Sequence, residues 1–359
     1  MKVLKFGGSS VATAERIRQV AAVVGEASRQ GRVAVVVSAL GGVTDGLLKA
    51  SEEASQKSGD FAGRLAEIVR RHHEALQEVA RPEELPAERD KVLKAAQELE
   101  DLLQGCSLLQ EASPRTVDRI VSYGERLSSG IVAAALRAAG VEAEAVDARR
   151  LIVTDATFGN AQVDHERTRE RVRSALADLA ATPVVTGFIA ATEEGETTTL
   201  GRGGSDYTAS LLGAALDAEA VELWTDVDGV MNADPRLVSD ARPVSAMSYI
   251  ELMEMSHFGA KVVYPPSVHP TRRLGIPLWI KNTFRPEAPG TRVTATAESG
   301  EGPVRGIASI ASVALLRLEG DGMVGVPGIA GRLFTALARQ GVSIILITQA
   351  SSEHSICFA

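Results

Sequence analysis

The apolar positions of this chain fall into two patterns. Short unbroken runs occur at VLKF (3–6), RVAVVVS (32–38), LIVT (151–154), PVVTGFIA (183–190), VELWTD (221–226) and IPLWIK (276–281). Strands that are apolar on both faces, rather than alternating, belong to sheets covered by helices on both sides. Between the runs lie stretches with helical spacing, near 12–30, 114–139, 165–181, 204–217 and 247–258. The rhythm predicts an α/β sandwich around a mainly parallel sheet.

Residues 47 to about 110 interrupt that rhythm with Ala, Glu, Leu, Lys and Arg. Leu65, Ile68, Val69, Leu76 and Val79 form one helical stripe; Val92, Leu99, Leu102 and Leu103 form another, with Pro82 and Pro86 between them. A helical hairpin packed on the sheet edge is expected. His72 and His73 are neighbours on a helix and point about 100° apart, too far to share one ion, so both are expected in solvent. FRPEAPGTRVTATAESGEGPV (284–304) gathers Pro, Gly, Thr and Glu without apolar periodicity. The expected organisation is a first domain over 1–290, a linker over 291–306 and a small unit over 307–359. That unit reads β-α-β-β: SVALLRLE (312–319), GIAGRLFTALARQ (328–340), VSIILIT (342–348) and HSICFA (354–359). Half a ferredoxin-like unit leaves its own sheet face open, so a fragment of a longer protein, or completion by a partner chain, is expected.

Composition narrows the classes. The chain has 359 residues, 45% hydrophobic and 23% charged, enough for two or three compact units. Its 38 basic and 46 acidic residues give a net charge of −8. With no dense basic run, nucleic acid is not an expected partner, although local glycines and cations can still gather a small anion. Cys106 and Cys357 stand far apart, which argues against a disulfide framework or a cysteine zinc site. No run approaches the roughly 18 apolar residues of a membrane span, and the glycines at 7 and 8 come too early for a signal peptide. A cytoplasmic protein without membrane attachment is expected.

Candidate chemistry sits at the strand ends, where open α/β sheets bind ligands. GDGMVG (320–325) fits a dinucleotide fingerprint, but the acid expected about 20 residues on is missing, and no Walker P-loop occurs. KFGGSS (5–10) follows the first strand and precedes a helix; phosphate cradling and a plain strand-to-helix turn stand level there. VVSALGGVTDG (36–46) supplies Ser38 and Thr44. TGFIA (186–190) leads to TTTLGRGGSDYTASLL (197–212), with Arg202, Ser205 and Asp206 at the mouth of a helix. TDVDGVMNADPR (225–236) offers Thr225, Asp226, Asp228 and Arg236. Turn chemistry accounts for each loop alone; their convergence on one edge is harder to dismiss. Glu125 in SYGERLSSG and Lys261 in HFGAKVVYPP add one charge of each sign. There is no G-x-S-x-G elbow, and His257 and His269 lack metal-ligand spacing.

KFGGSSV, VVSALGGVTD, SYGERLSS, GFIA…GETTTLGRGGSDYTA, LWTDVDGV…DPR and HFGAKVVYPPS occur together and in this order over residues 2 to about 285. The set resembles the aspartate kinases of the amino acid kinase family. The resemblance implies the family's three-layer sandwich and transfer of a phosphoryl group from MgATP to the side-chain carboxylate of L-aspartate, the first step toward lysine, threonine and methionine. It implies Lys5, Asp206 and Lys261 as catalytic residues. Lys5, Gly7, Gly8, Ser9, Thr225, Asp226, Met231, Arg236 and Lys261 would hold ATP, with Mg2+ carried on its phosphates and Asp206 orienting the lysines or reaching the magnesium. Met231 stands where many relatives carry an aromatic residue near the adenine. Ser38, Thr44, Glu125, Arg202 and Ser205 would hold aspartate, Arg202 on its α-carboxylate and Glu125 on its ammonium.

The tail, GVPGIAGRLFTALARQGVSIILITQASSEHSICFA, resembles the start of the ACT regulatory region, a partial ferredoxin-like unit. Met323, Gly328 and Gln349 match its effector-binding segments. ILITQASSEHSI is similar to the threonine-responsive enzymes, including those fused to homoserine dehydrogenase. Ile345 stands where lysine-responsive relatives carry an acid. The resemblance implies a homo-oligomer with an amino-acid effector, threonine before lysine, and weak or absent feedback in a chain of this length. Two alternatives remain at this point: a related kinase acting on another acid such as glutamate, and a decayed kinase fold serving as an amino-acid sensor. The intact Lys5, Lys261 and Asp206 set argues against decay.

Overall fold

The computed structural model describes residues 1–260, 262–296, 304–320, 323, 325–349 and 355–359. The chain divides into two units, Met1–Ala308 and Ser309–Ala359. In order, the first contains β1 (Lys2–Phe6), α1 (Ala14–Gln30), β2 (Val33–Val37), α2 (Val43–Gln56), α3 (Phe61–Val79), α4 (Leu85–Leu109), α5 (Pro114–Ala138) and β3 (Ala143–Val146). It continues with α6 (His165–Leu176), β4 (Thr182–Thr186), β5 (Ile189–Ala191), β6 (Thr197–Thr199), α7 (Gly204–Ala215) and β7 (Ala220–Thr225). β8 (Ala246–Ser248), α8 (Tyr249–His257), α9 (His269–Leu274), β9 (Leu278–Asn282) and β10 (Thr291–Thr294) complete it.

Among the described residues, eight strands form one sheet in the order β3-β4-β2-β1-β7-β9-β10-β8. Neighbours run parallel except β9 and β10. Alternation along the central strands sets the layers. Leu4, Phe6, Val33, Val35 and Val37 are buried in one core with α1 and the α2–α5 helices. Val3, Ala34 and Val36 are buried in a second core on the opposite face, with α6, α7 and residues of α8. Lys5 therefore shares the face of Val3 and points toward the α7 side. The three-layer sandwich expected from the sequence is the observed architecture.

Local chemistry explains the helix starts. Thr13 caps α1, and Ser113 caps α5 just before Pro114, where the missing N–H costs nothing. Ser248 and Glu251 close a capping box on α8.

Four expectations change. The insertion is three helices, α2 to α4, rather than a hairpin of two. His72 is buried, not solvated: it lies four residues from Ile68 and from Leu76, on the apolar stripe itself, and its Nδ1 lies 2.7 Å from the Ile68 carbonyl. LIVT (151–154) makes isolated bridges from Val153 and Thr154 rather than a strand. PVVTGFIA is two strands, because Phe188 adopts a left-handed φ of 67° and breaks the run. In addition, residues 291–294, within the expected linker, form β10 in the main sheet. Ile307 still donates its N–H to Asn232.

In the second unit, β11 (Leu316–Glu319), α10 (Ile329–Arg339), β12 (Ile347–Gln349) and β13 (Ser355–Phe358) form an antiparallel sheet in the order β11-β13-β12, with α10 packed on it. Met323, Ile356 and Phe358 centre its small core with Leu333 and Phe334. Met323 is thus buried within the unit, Gly328 caps α10 at a left-handed φ of 87°, and Gln349 is exposed on β12.

Candidate active site

Because β4, β2, β1, β7 and β9 are parallel neighbours, their C-terminal ends share one rim. The chain is stitched at each exit: Ser38 N–H donates to Phe6 O, Gly7 N–H to Trp224 O, Gly187 N–H to Val37 O and Thr283 N–H to Thr225 O. Five loops, remote in sequence, therefore open side by side.

The two diglycine loops cross at close range. A Cβ on Gly8 would lie 3.0 Å from the Ala39 carbonyl oxygen, and one on Gly41 would lie 3.1 Å from the Gly8 oxygen. Gly7 has spent its N–H on Trp224, so it offers no backbone donor to a phosphate. Gly8 and Ser9 donate to no backbone group among the described residues. A Cβ at Gly7 would lie 3.5 Å from Lys5 Nζ, and glycine there leaves that space beside the ammonium open.

Helix α7 brings the third loop. Gly203, at a φ of 69°, precedes its first turn, and a side chain there would collide with Tyr264. Asp206 sits in that turn, where the helix dipole favours an anion. Its Oδ1 is 2.6 Å from Lys5 Nζ, and both side chains are mostly shielded from solvent. Ser205 Oγ accepts a 3.0 Å bond from Ser38 Oγ.

Helix α5 supplies the floor. Gly124 lets it press against Ala39, since a Cβ there would lie 2.7 Å from the Ala39 Cβ. The next residue, Glu125, is 2% exposed. Its Oε1 accepts from the Ala39 N–H at 3.1 Å, whereas Oε2 has no partner. Burial pushes this carboxyl up to about 8. One turn on, Ser128 Oγ donates to Ser38 O at 2.7 Å.

Lys5, Gly8, Ser38, Thr44, Glu125, Ser205 and Asp206 thus line one cavity of about 390 Å3. It has an ammonium at one side, a buried acid at another and hydroxyls between, a set suited to a small zwitterion beside a phosphate. Arg202 does not line it; this exposed guanidinium faces the Tyr264 ring, 6.0 Å from its centroid. Lys261 lies outside the described residues.

Comparison with known proteins agrees with this geometry. The family model described as "Amino acid kinase family" matches residues 1–282. The chain belongs to the amino acid kinase family. Its tail, residues 316–359, matches an ACT domain model. This kinase-family chain superposes on E. coli aspartokinase III, solved in complex with aspartate and ADP. The TM-score is 0.85 and identity is 32%, over 100% of this chain and 78% of that one. It is 36% identical to Arabidopsis thaliana chloroplastic bifunctional aspartokinase/homoserine dehydrogenase 1 over 99% of this chain and 40% of that protein. It is also 36% identical to Arabidopsis chloroplastic aspartokinase 1, over 99% of this chain and 62% of the relative. The chain therefore spans about 40% of the length of the bifunctional relatives it matches. Among the described residues, no helix is long and apolar enough to cross a membrane.

The remaining family-type residues lie after β7. Thr225 Oγ1 accepts from Val227 N–H at 3.2 Å, and Asp226 is exposed. Met231 is half-buried, and exposed Arg236 is held by Asp234 at 2.7 Å. Three contributors to this amino acid kinase site escaped the sequence reading. Arg71, from the inserted helix α3, donates to Gly41 O at 2.9 Å and so braces a site loop. Phe188 lines the cavity with its backbone in the left-handed region. Asp118, on α5, accepts three bonds at the root of the glycine loop. Arg71 and Asp118 are polar residues at helix positions that look like surface until the chain is folded. Gly187, immediately before Phe188, was the available signal for a turn.

Proposed function

We propose that the chain phosphorylates L-aspartate from MgATP, giving 4-phospho-L-aspartate, as the catalytic part of an aspartate kinase. The observation that carries this reading is the buried Glu125 oxygen, unpartnered, in the same cavity as the Lys5–Asp206 pair. The nucleophile is a carboxylate, ionised at neutral pH with a reference pKa near 3.9, so no general base is required. What the protein supplies is position and charge. Lys5 neutralises the phosphoryl in flight, and Asp206 holds Lys5 in place. Lys261 is assigned as the second cation. Gly8 and Ser9 offer N–H donors to the phosphates, with Gly7 present for space rather than for its own N–H. Thr225, Asp226, Met231 and Arg236 frame the nucleotide.

Glu125 takes the substrate ammonium, while Ser38, Thr44 and Ser205 complete its hydrogen bonds. Arg202 takes the α-carboxylate once the 200–206 loop closes. Asp206 is also the carboxylate suited to a Mg2+ ion, which would offset phosphate charge when bound. The wider reading is a cytoplasmic homo-oligomer in the route to lysine, threonine and methionine, with an amino-acid effector, threonine before lysine, at the segments of Met323, Gly328 and Gln349.

A coupled assay of ADP release decides the reaction. Aspartate is expected to support turnover, and glutamate not. Lys5→Ala is expected to lower turnover by at least about 100-fold, in line with the loss of a preorganised charge in a shielded site, with unchanged folding by circular dichroism. Glutamate turnover at the aspartate rate would move the chain to another amino acid kinase activity. No turnover with either acid would favour the sensor reading.

A further inference from the structure

Asp118 and Glu125 stand seven residues apart on α5. That spacing puts both on one helix face, about 10 Å apart along the axis. Glu125 faces the substrate cavity. Asp118 is 2% exposed and is used by nothing in the mechanism above.

Its bonds converge on one junction. Oδ2 accepts from Thr199 N–H at 2.9 Å and from Gly159 N–H at 2.9 Å, and Oδ1 accepts from Thr199 Oγ1 at 2.8 Å. Thr199 is the last residue of β6, two before Gly201. Gly159 borders the same loop: a Cβ on Gly201 would lie 3.2 Å from the Gly159 oxygen and 2.6 Å from Asn160 Oδ1. Ala161 N–H donates back to Thr199 O at 2.9 Å, closing the junction. Beyond it run Leu200 to Asp206, the segment that carries Arg202, Ser205 and the partner of Lys5.

We propose that Asp118 is a positioning residue for the aspartate site: it ties the root of the glycine loop to the helix that carries Glu125. The groups assigned to the two ends of one small zwitterion are thereby held in register by a single rigid element. This rests on the assignment of Glu125, Arg202 and Ser205 to aspartate. Among the described residues the β1 and β7 loops assigned to the nucleotide make no bond to Asp118, and Asp206, the one residue of the segment assigned to the phosphate side, is held within α7 itself, so nucleotide affinity depends on Asp118 far less than aspartate affinity does. Without Asp118, two buried N–H groups lose their acceptor and the loop root is released.

The full chain with Asp118→Ala, which removes the acceptor, and separately with Thr199→Val, tests this; Asp118→Asn, whose amide oxygen can still take both N–H groups and whose NH2 can donate to Thr199 Oγ1, is expected to restore most of the loss. Thr199→Val removes one hydroxyl donor and leaves both backbone bonds. Expected for Asp118→Ala is an aspartate KM raised about tenfold or more, which is about 1.4 kcal/mol, with the ATP KM within about twofold. Amide exchange at 199–206 should accelerate while that of β1 and β2 stays unchanged. Thr199→Val should shift the aspartate KM the same way by less. Equal rises in both KM values, a lower active fraction at unchanged aspartate KM, or unchanged exchange at 199–206 would overturn the proposal. Should Asp118→Ala fail to fold, Thr199→Val decides: an unmoved aspartate KM overturns, and a selective rise supports. An unsubstituted chain that phosphorylates no aspartate would sink the functional reading alone; the exchange arm would still decide whether Asp118 holds the loop.

Discussion

Burial pushes the Glu125 carboxyl up to about 8, so near pH 7 it is mostly protonated before substrate binds. On the proposed assignment of Glu125 to the substrate ammonium, the ionised form is needed, so aspartate binding would expel that proton. Aspartate affinity is expected to rise nearly tenfold per unit from pH 6 toward pH 8 and then level off. Glu125→Gln is expected to weaken aspartate binding and flatten that rise; KM measured from pH 6 to 9 checks both. A flat profile in the unsubstituted protein would remove Glu125 from ammonium recognition. The sign for folding is the opposite. The folded carboxyl keeps a proton that the unfolded chain, at about the ordinary value of 4.5, gives up. The stability that Glu125 contributes is thus present below 4.5 and lost as pH climbs through 8. His72 was misread at this scale. It counts as polar by type, yet 68, 72 and 76 are successive turns of one stripe, and burial lowers its pKa to about 4.

At the scale of elements, the long parallel strands and the helices that follow them were legible because both faces or one stripe are apolar. Short elements were not. β3, β8 and β10 are three or four residues long; β3 and β8 close the two edges of the sheet and are held there by β4 and β10 rather than by a pattern of their own. The glycine loop is the element that links structure to chemistry. Gly201 and Gly203 hold left-handed backbone, and the loop presents Arg202 outward, against Tyr264, while Ser205 and Asp206 already face the cavity. The proposed closing would require only the first half of the loop to move. Arg202→Ala is expected to raise the aspartate KM by about 100-fold, the scale of a lost bidentate charge pair, and the ATP KM by less than about threefold. Steady-state kinetics with each substrate varied separates the two; equal effects would take Arg202 off the α-carboxylate.

At the scale of the whole molecule, the two units have different chemistry. In the second, the segment 342–349 carries no carboxylate, and its Ile347, Thr348 and Gln349 are exposed. On the proposed effector assignment, an ε-ammonium would have no counter-charge in this segment, whereas a hydroxyl would have Gln349 as a partner. Calorimetric titration is expected to rank threonine above lysine, and a lysine affinity equal to or above that of threonine would reverse the assignment. What the sequence by itself determined was the layered sandwich, most of its main strands and the set of loops bearing charge and glycine. Periodicity and turn sterics act over a few residues and can be read from them. Only the tertiary structure decided that residues 5, 38, 125 and 206 share one cavity, that Gly7 spends its N–H on Trp224, and that Asp118 grips the loop root. Those facts depend on strand register and helix packing, which bring together positions up to 217 apart in the chain; no local pattern encodes that distance.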